Sequence, residues 1–401
     1  MVEKSLDRKL AAIRADRNSK EFIIADAKDA DMARGVQSAG LSPECYGTDE
    51  LRYRGMAEYR EAMREVTRQE AVDIMLMSAS SNEILTIRER LFDNSPVTPA
   101  ARTNDTTDIH IARHGVYAGE FSRPFRSTTL DHAMCGKYEC SPQERALGAN
   151  LGLYSVTFNN DLERDLETIN AFKEFRLEAE EKGFRYFLEI FDPNVTGTVP
   201  PEKIGEFVND MIVRTLAGVT EAGRPLFLKM VYHGPKLMEE LVNWDPTLIP
   251  GVLGGSAGTT YDAFKLISEA QKHGAKVALF GRKINQSEHQ LSFVRFLRLI
   301  VDGEITPEEA VAAYHGVLQG LGIKPFRSLE DDMKLTDTAM SYSGSGTAVD
   351  MGARQPQPAQ PIGSNGASSR LPSTNGEPDW AKMSPEEKIA YNQRERDRIF
   401  G

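Results

Sequence analysis

Between residues 184 and 320 the chain repeats one unit, a short apolar run followed by a stretch with helical spacing. The runs 184–191, 226–232, 249–253 and 276–280 read as strands. Helical spacing fills 202–216, 236–242, 261–273 and 288–301, and one more helix, 161–182, precedes the first run. In that earlier helix Leu162, Leu166, Ile169 and Phe175 are expected to form the buried side, with Gly183 at the position after its C-terminus. A last helix opens at Thr306-Pro307-Glu308-Glu309, a capping box with proline in the first helical position. Strands alternating with helices of this length imply βα units and a parallel sheet. Upstream, 22–25, 72–77, a strand somewhere in 100–112, and 152–158 supply four more strands. Eight strands predict a closed (β/α)8 barrel, a TIM-barrel architecture, rather than an open sheet. Residues 93–140, rich in Thr, Arg, Asn and His, are expected to form a long insertion over one barrel end, after the second or third strand.

The barrel is assigned to residues 1–330. From about 341 the sequence becomes rich in Gly, Ser, Pro and Gln, with almost no large apolar side chain to offset the entropy of ordering. Residues 331–382 are therefore read as a disordered linker. Residues 383–401 are read as a short helix opened by Ser384-Pro385-Glu386-Glu387, a candidate contact for a protein partner.

A formal net charge of -11 argues against nucleic acid or an anionic membrane as the main partner. No apolar run is long enough to cross a bilayer, and the first twenty residues mix Lys, Arg, Asp and Glu without an apolar segment, so a cytoplasmic protein is expected. Cys45, Cys135 and Cys140 make neither a disulfide framework nor a Cys-x-x-Cys pair, and free thiols are expected. His110 and His114 sit in Asp-Ile-His-Ile-Ala-Arg-His, which alternates like a strand. Two histidines alone do not make a zinc site, and neither metal nor cofactor is expected.

In such a barrel, chemistry gathers at the C-terminal ends of the strands. Lys229, inside Phe227-Leu228-Lys229-Met230-Val231, is out of place unless its amine points into the barrel mouth. There it can attack a carbonyl, or it can serve only as a buried partner for a carboxylate. Glu189, in the apolar strand before it, is that partner or a proton shuttle. Gly254-Gly255-Ser256 after the seventh strand and Gly281-Arg282 after the eighth fit a phosphate cradle, where small residues let backbone N–H groups approach and arginine adds a forked donor. Ordinary tight turns would use the same glycines. Asp26, at the end of the first strand, is a further candidate polar group, or the cap of the first helix.

Together these segments resemble the class I, Schiff-base aldolases of the bacterial and archaeal fructose-bisphosphate type and their tagatose-bisphosphate relatives. The likeness runs from about 184 to 324, and more loosely over 22–35. It implies that Lys229 forms the imine, that Glu189 acts as acid and base, that Asp26 matches the strand-one aspartate, and that Gly254, Gly255, Ser256, Gly281 and Arg282 hold phosphate. One branch has a tyrosine acid near the end of strand five, where this chain has Phe191 and Asp192. The other has a lysine on strand four, where Tyr154 is the nearest substitute, and His233 shares the parity of Lys229. The implied activity is C–C cleavage or formation in a phosphorylated ketose or related keto compound, without cofactor, in a homo-oligomer. Acyl or ketol transfer on the same lysine is the near alternative. A catalytically silent barrel recruited through its tail is the distant one.

Overall fold

A computed structural model of the chain describes residues 2–42, 45, 52–110, 112–255 and 258–336. Ser256, the helix expected at 383–401 and all of the expected linker beyond 336 lie outside the described residues. Eight parallel strands, β1 (Ile23–Lys28), β2 (Ile74–Met77), β3 (Thr98–Arg102), β4 (Leu151–Thr157), β5 (Arg185–Phe191), β6 (Leu228–Met230), β7 (Gly251–Leu253) and β8 (Val277–Phe280), close into a barrel in the order β1-β8-β7-β6-β5-β4-β3-β2. The chain is a TIM barrel, as the βα rhythm predicts.

Strand alternation sorts the side chains into two layers. Ile23 and Ala25 of β1, Ile74 and Leu76 of β2, Ala100 of β3, Leu151 and Leu153 of β4, and Phe187 of β5 form one buried cluster inside the barrel. The intervening residues Ile24, Met75, Met77, Ala278 and Phe280 pack outward, against Met63 and Val66 of one helix and Phe264 and Ile267 of another. The N-terminal helix α1 (Ser5–Ala15) contributes Leu6, Leu10 and Ile13 to the interior cluster, and its first residue bonds the carbonyl of Pro96, ahead of β3. It therefore plugs the N-terminal end of the barrel, which directs access to the opposite end.

At that plugged end a buried carboxylate ties three elements together. Asp73 accepts from Lys9 at 2.9 Å, from Arg298 at 2.7 Å and from the Ile24 amide at 2.8 Å. Burial alone would raise its pKa, but Arg298 and Lys9 outweigh burial and hold it below the ordinary carboxylate value.

Several sequence expectations are corrected. The helix expected at 161–182 is α2 (Leu162–Lys182), but it buries Thr168, Phe172, Phe175 and Ala179, leaving Leu162 and Leu166 exposed. Gly183, at φ +63°, ends it as expected. The third strand begins before the window assigned to it. Pro99, which normally argues against a strand, sits inside it. The insertion consequently spans 103–150 and follows β3. His110 follows a turn at 107–109 and His114 lies in another at 113–114, at φ +66°, and neither is in a strand. Cys135 and Cys140 form a disulfide, contrary to the free thiols expected. Cys135 ends a short helix, and Gly136 in the left-handed region turns the chain so that Cys140 returns to a Cα separation of 6.0 Å. Cys45 is buried and takes no part in it. The body also continues past 330. Asp332 is buried and accepts from the Thr260 amide at 2.7 Å, and the Thr336 amide donates to Asp262 at 2.7 Å. Residues 331–336 are thus packed rather than linker. No helix among the described residues is long and apolar enough to cross a membrane.

Replacing Asp73 by Asn strands two buried cations and is expected to cost about 3–5 kcal/mol at pH 7, read from urea midpoints. The folded pKa of Asp73 lies below its unfolded value of about 4. Its contribution is therefore complete above that value and is lost as pH falls through the folded one. The gap between wild type and Asp73→Asn should narrow below about pH 4; a gap constant down to pH 2 would contradict this role.

Candidate active site

Register places the chemistry. Ser155 of β4 pairs with Glu189 of β5, and Glu189 pairs with Lys229 of β6. Each lies two residues beyond an inward-facing apolar residue (Leu153, Phe187 and Phe227). All three side chains therefore enter the barrel in one layer near its C-terminal end. Lys229 Nζ is ion-paired with Glu189 Oε1. The other oxygen, Oε2, accepts from Ser155 Oγ at 2.7 Å. Ser155 Oγ in turn accepts from Arg102 Nη1 at 3.1 Å. Arg102 lies 3.5 Å from Glu189 and donates through Nε to Asp29 at 2.7 Å. Asn104 fixes the layer from the backbone side, exchanging bonds of 2.8 and 2.7 Å with the carbonyl and amide of Ser155.

The result is an alternating row, Lys229–Glu189–Arg102–Asp29, of two cations and two carboxylates, all buried. Burial alone would pull the Arg102 pKa down, but Asp29, Glu189 and Asp105 outweigh it and keep the guanidinium charged. One layer further out the character changes. Phe191 of β5, Val231, Leu253 of β7 and Ile109 of the insertion form an apolar cluster. Ile109 is held there by its neighbour Asp108, whose buried carboxylate accepts from Ser122 at 2.7 Å and Thr157 at 3.0 Å. Lys229 retains 7% exposure beneath this hydrocarbon layer.

The other residues singled out from sequence fall elsewhere. Asp26 does not join Lys229. Ala25 faces the interior, so Asp26 faces the helices, fully buried, 3.0 Å from Lys28 Nζ. Burial raises the Asp26 pKa and lowers that of Lys28, and each partner opposes the other's shift. Lys28 also donates to Asn285 at 2.6 Å. The inward acid from this part of the chain is Asp29. Tyr154 likewise faces outward, stacked 4.3 Å from Phe175, and cannot substitute for a site lysine. His233 stands beyond the row and bonds Asp192 at 2.9 Å through Nε2.

Gly254 and Gly281 have packing reasons of their own. A Cβ at Gly254 would lie 2.1 Å from the Phe280 ring, and one at Gly281 2.5 Å from the Ala27 carbonyl. Gly255 sits at φ +57°. The helix after this loop, α3 (Thr260–Lys272), has its first amides occupied. The Thr259 amide donates to Asp262 and that of Thr260 to Asp332, each at 2.7 Å. Arg282 lines a small cavity of ≈ 40 Å³ with Arg34, Gln37 and Tyr53, and no member of the Lys229 row is in its lining. Its neighbour Lys283 donates to the Gly258 carbonyl at 2.8 Å, joining the loops after β7 and β8, and burial followed by Arg327 pulls its pKa down to about 8.

Sequence reading missed Arg102, Asp29, Ser155 and Asn104. The signal for Arg102 was an arginine closing the Ala100-Ala101 run, which becomes visible only once β3 is placed.

No protein-family model matches the chain, and no curated protein matches it. Among solved structures it is similar to an archaeal fructose 1,6-bisphosphate aldolase, with a TM-score of 0.50 at 15% identity over 74% of this chain and 99% of that one. It is similar also to an archaeal fructose-1,6-bisphosphate aldolase captured with its catalytic lysine covalently bound to the carbinolamine intermediate, with a TM-score of 0.51, 15% identity, and coverage of 73% and 99%. A Corynebacterium glutamicum protein gives 0.50 at 16% identity, over 76% and 99%. At these identities the likeness establishes the fold alone, a TIM barrel.

Replacing Arg102 by Met leaves Asp29 buried without its guanidinium and is expected to cost about 3–5 kcal/mol. Adding Asp29→Asn should restore part of that loss, a coupling of roughly 1–3 kcal/mol in a double-mutant cycle. Strictly additive melting shifts would contradict the row as a unit.

Proposed function

We propose that this barrel is a class I aldolase acting on a phosphorylated ketose or related phosphorylated keto compound through an imine on Lys229. The observation that carries the reading is the register pairing of Lys229 with Glu189, inside the barrel and beneath an apolar layer. The covalent lysine intermediate of a structural neighbour supports it by likeness of fold.

In this reading Glu189 takes a proton from the Lys229 ammonium, and the free amine attacks the ketone carbon. Glu189 then returns the proton to the carbinolamine hydroxyl, which leaves as water and gives the protonated imine. As a carboxylate again, it accepts the proton of the β-hydroxyl while the C–C bond breaks. The electron pair of that bond moves into the imine as an enamine, and the aldehyde departs. Protonation of the enamine carbon and hydrolysis of the imine free the second product. Arg102 and Ser155 keep the Glu189 carboxylate in place through these exchanges. Asp26 has no part in it, because its side chain faces the helices. For the phosphate, the supporting observation is the pair of guanidinium groups, Arg34 and Arg282, lining one cavity. Arg34 Nη2 is buried there without a hydrogen-bond partner.

The reading is tested by cleavage of ketose mono- and bisphosphates. Lys229→Ala should abolish turnover, and Glu189→Gln should lower kcat by roughly 10²–10⁴-fold. Asp26→Asn should leave kcat/KM within about threefold, since surrounding groups rather than reacting atoms contact it. Turnover that survives Lys229→Ala would exclude the imine. A loss with Asp26→Asn as large as with Glu189→Gln would overturn the placement of Asp26.

A further inference from the structure

A second cavity shares no lining residue with the Lys229 row. It measures ≈ 340 Å³ and opens at the C-terminal ends of β1 and β2, where the insertion after β3 walls it. Asp31, Ser78, Ser80, Glu83, Thr128 and His132 line it, and no lysine or arginine does. Two features set it apart from a solvent-filled groove. Asp31 Oδ1 is buried and has no hydrogen-bond partner in the protein. Glu83 begins a π-helix, Glu83–Arg88, a rare conformation that concentrates at functional sites.

The lining constrains what can bind. Hydroxyls from both walls can donate and accept, while the carboxylates only accept from their neighbours when ionised. Glu83 is partly engaged by Arg88 at 2.5 Å, whereas the open oxygen of Asp31 needs a donor. A phosphate or carboxylate placed here would face two carboxylates with no lysine or arginine in the lining, a repulsive arrangement. We propose that this cavity is a binding site for a polyhydroxylated ligand that carries no negative charge, held by donation of its hydroxyl groups to Asp31 and by the Ser78, Ser80 and Thr128 hydroxyls. The site goes beyond the imine reading. None of its lining residues belongs to the Lys229 row, and it would bind in a protein that performs no cleavage.

The test is a ligand-observed NMR titration with sorbitol and with sorbitol 6-phosphate, on the wild-type chain and on Lys229→Ala. Sorbitol should bind both proteins with dissociation constants within about twofold of each other, and Ser80→Phe should weaken it by about tenfold or more by filling the cavity. Ser80 is exposed, so the variant is expected to fold, and an unchanged melting temperature checks that. Sorbitol 6-phosphate should displace sorbitol only at about tenfold higher concentration, and Asp31→Asn should reduce that discrimination. Absence of sorbitol binding, binding indifferent to Ser80→Phe, or equal displacement by the phosphate ester would each overturn the proposal. Dependence of sorbitol binding on Lys229 would overturn its independence from the imine site. Failure of the imine reading is registered separately, by turnover surviving Lys229→Ala.

Discussion

A buried ammonium is stable in a barrel interior only beside a group that returns what water would have supplied. In this chain that group is Glu189, and the register of β5 against β6 delivers it. The rest of the mouth is organised around this pairing. Glu189 has a second oxygen to satisfy, which Ser155 does. Ser155 is oriented by Arg102 and by the backbone pairing with Asn104. Arg102 requires its own counter-charge, and Asp29 supplies it from the far side of β2. Each member is tolerable in the core only because of the next, so the row is neutral as a whole and costly to break at any point.

Above the row lies hydrocarbon. Phe191, Val231 and Leu253 come from the barrel strands or the residues just past them, whereas Ile109 comes from the insertion, pinned by Asp108. This arrangement lowers the local dielectric around the amine and strengthens each interaction within the row. It also accounts for the length of the insertion. Residues 103–150 roof the β5–β7 side through Ile109 and wall the cavity at the β1–β2 side through Thr128 and His132. The disulfide between Cys135 and Cys140 closes the turn next to that wall.

Much of this was legible in the sequence because a barrel writes itself as alternation. Seven of the eight strands and the capping box at Thr306 stand out by apolar runs, helical spacing and turn chemistry. Lys229 and Glu189 stand out because a charge within an apolar strand has few places to go. What failed did so for identifiable reasons. Asp26 looks like a mouth residue until parity is counted from Ala25, which turns it, together with its partner Lys28, toward the helices. β3 was obscured by Pro99 and by ending on a charge, so Arg102 went unseen. The helix after β4 buries a different face from the one its leucines suggest, because Phe172 and Phe175 pack on Tyr154, whereas Leu162 and Leu166, about two to three turns before Phe172, are exposed. The Cys135–Cys140 pairing depends on a left-handed glycine between the two, which cysteine spacing alone does not reveal.

The central claim is that Lys229 is a nucleophile rather than a structural cation, and borohydride reduction addresses it directly. The protein is incubated with dihydroxyacetone phosphate and other phosphorylated ketones, reduced, digested, and its peptides are weighed. A stable secondary amine is expected on Lys229, at a mass matching the ketone less the water lost in forming the imine plus the hydrogen added by reduction. A reduced adduct on another lysine, or none with any of these ketones while the fold remains intact, would contradict the account.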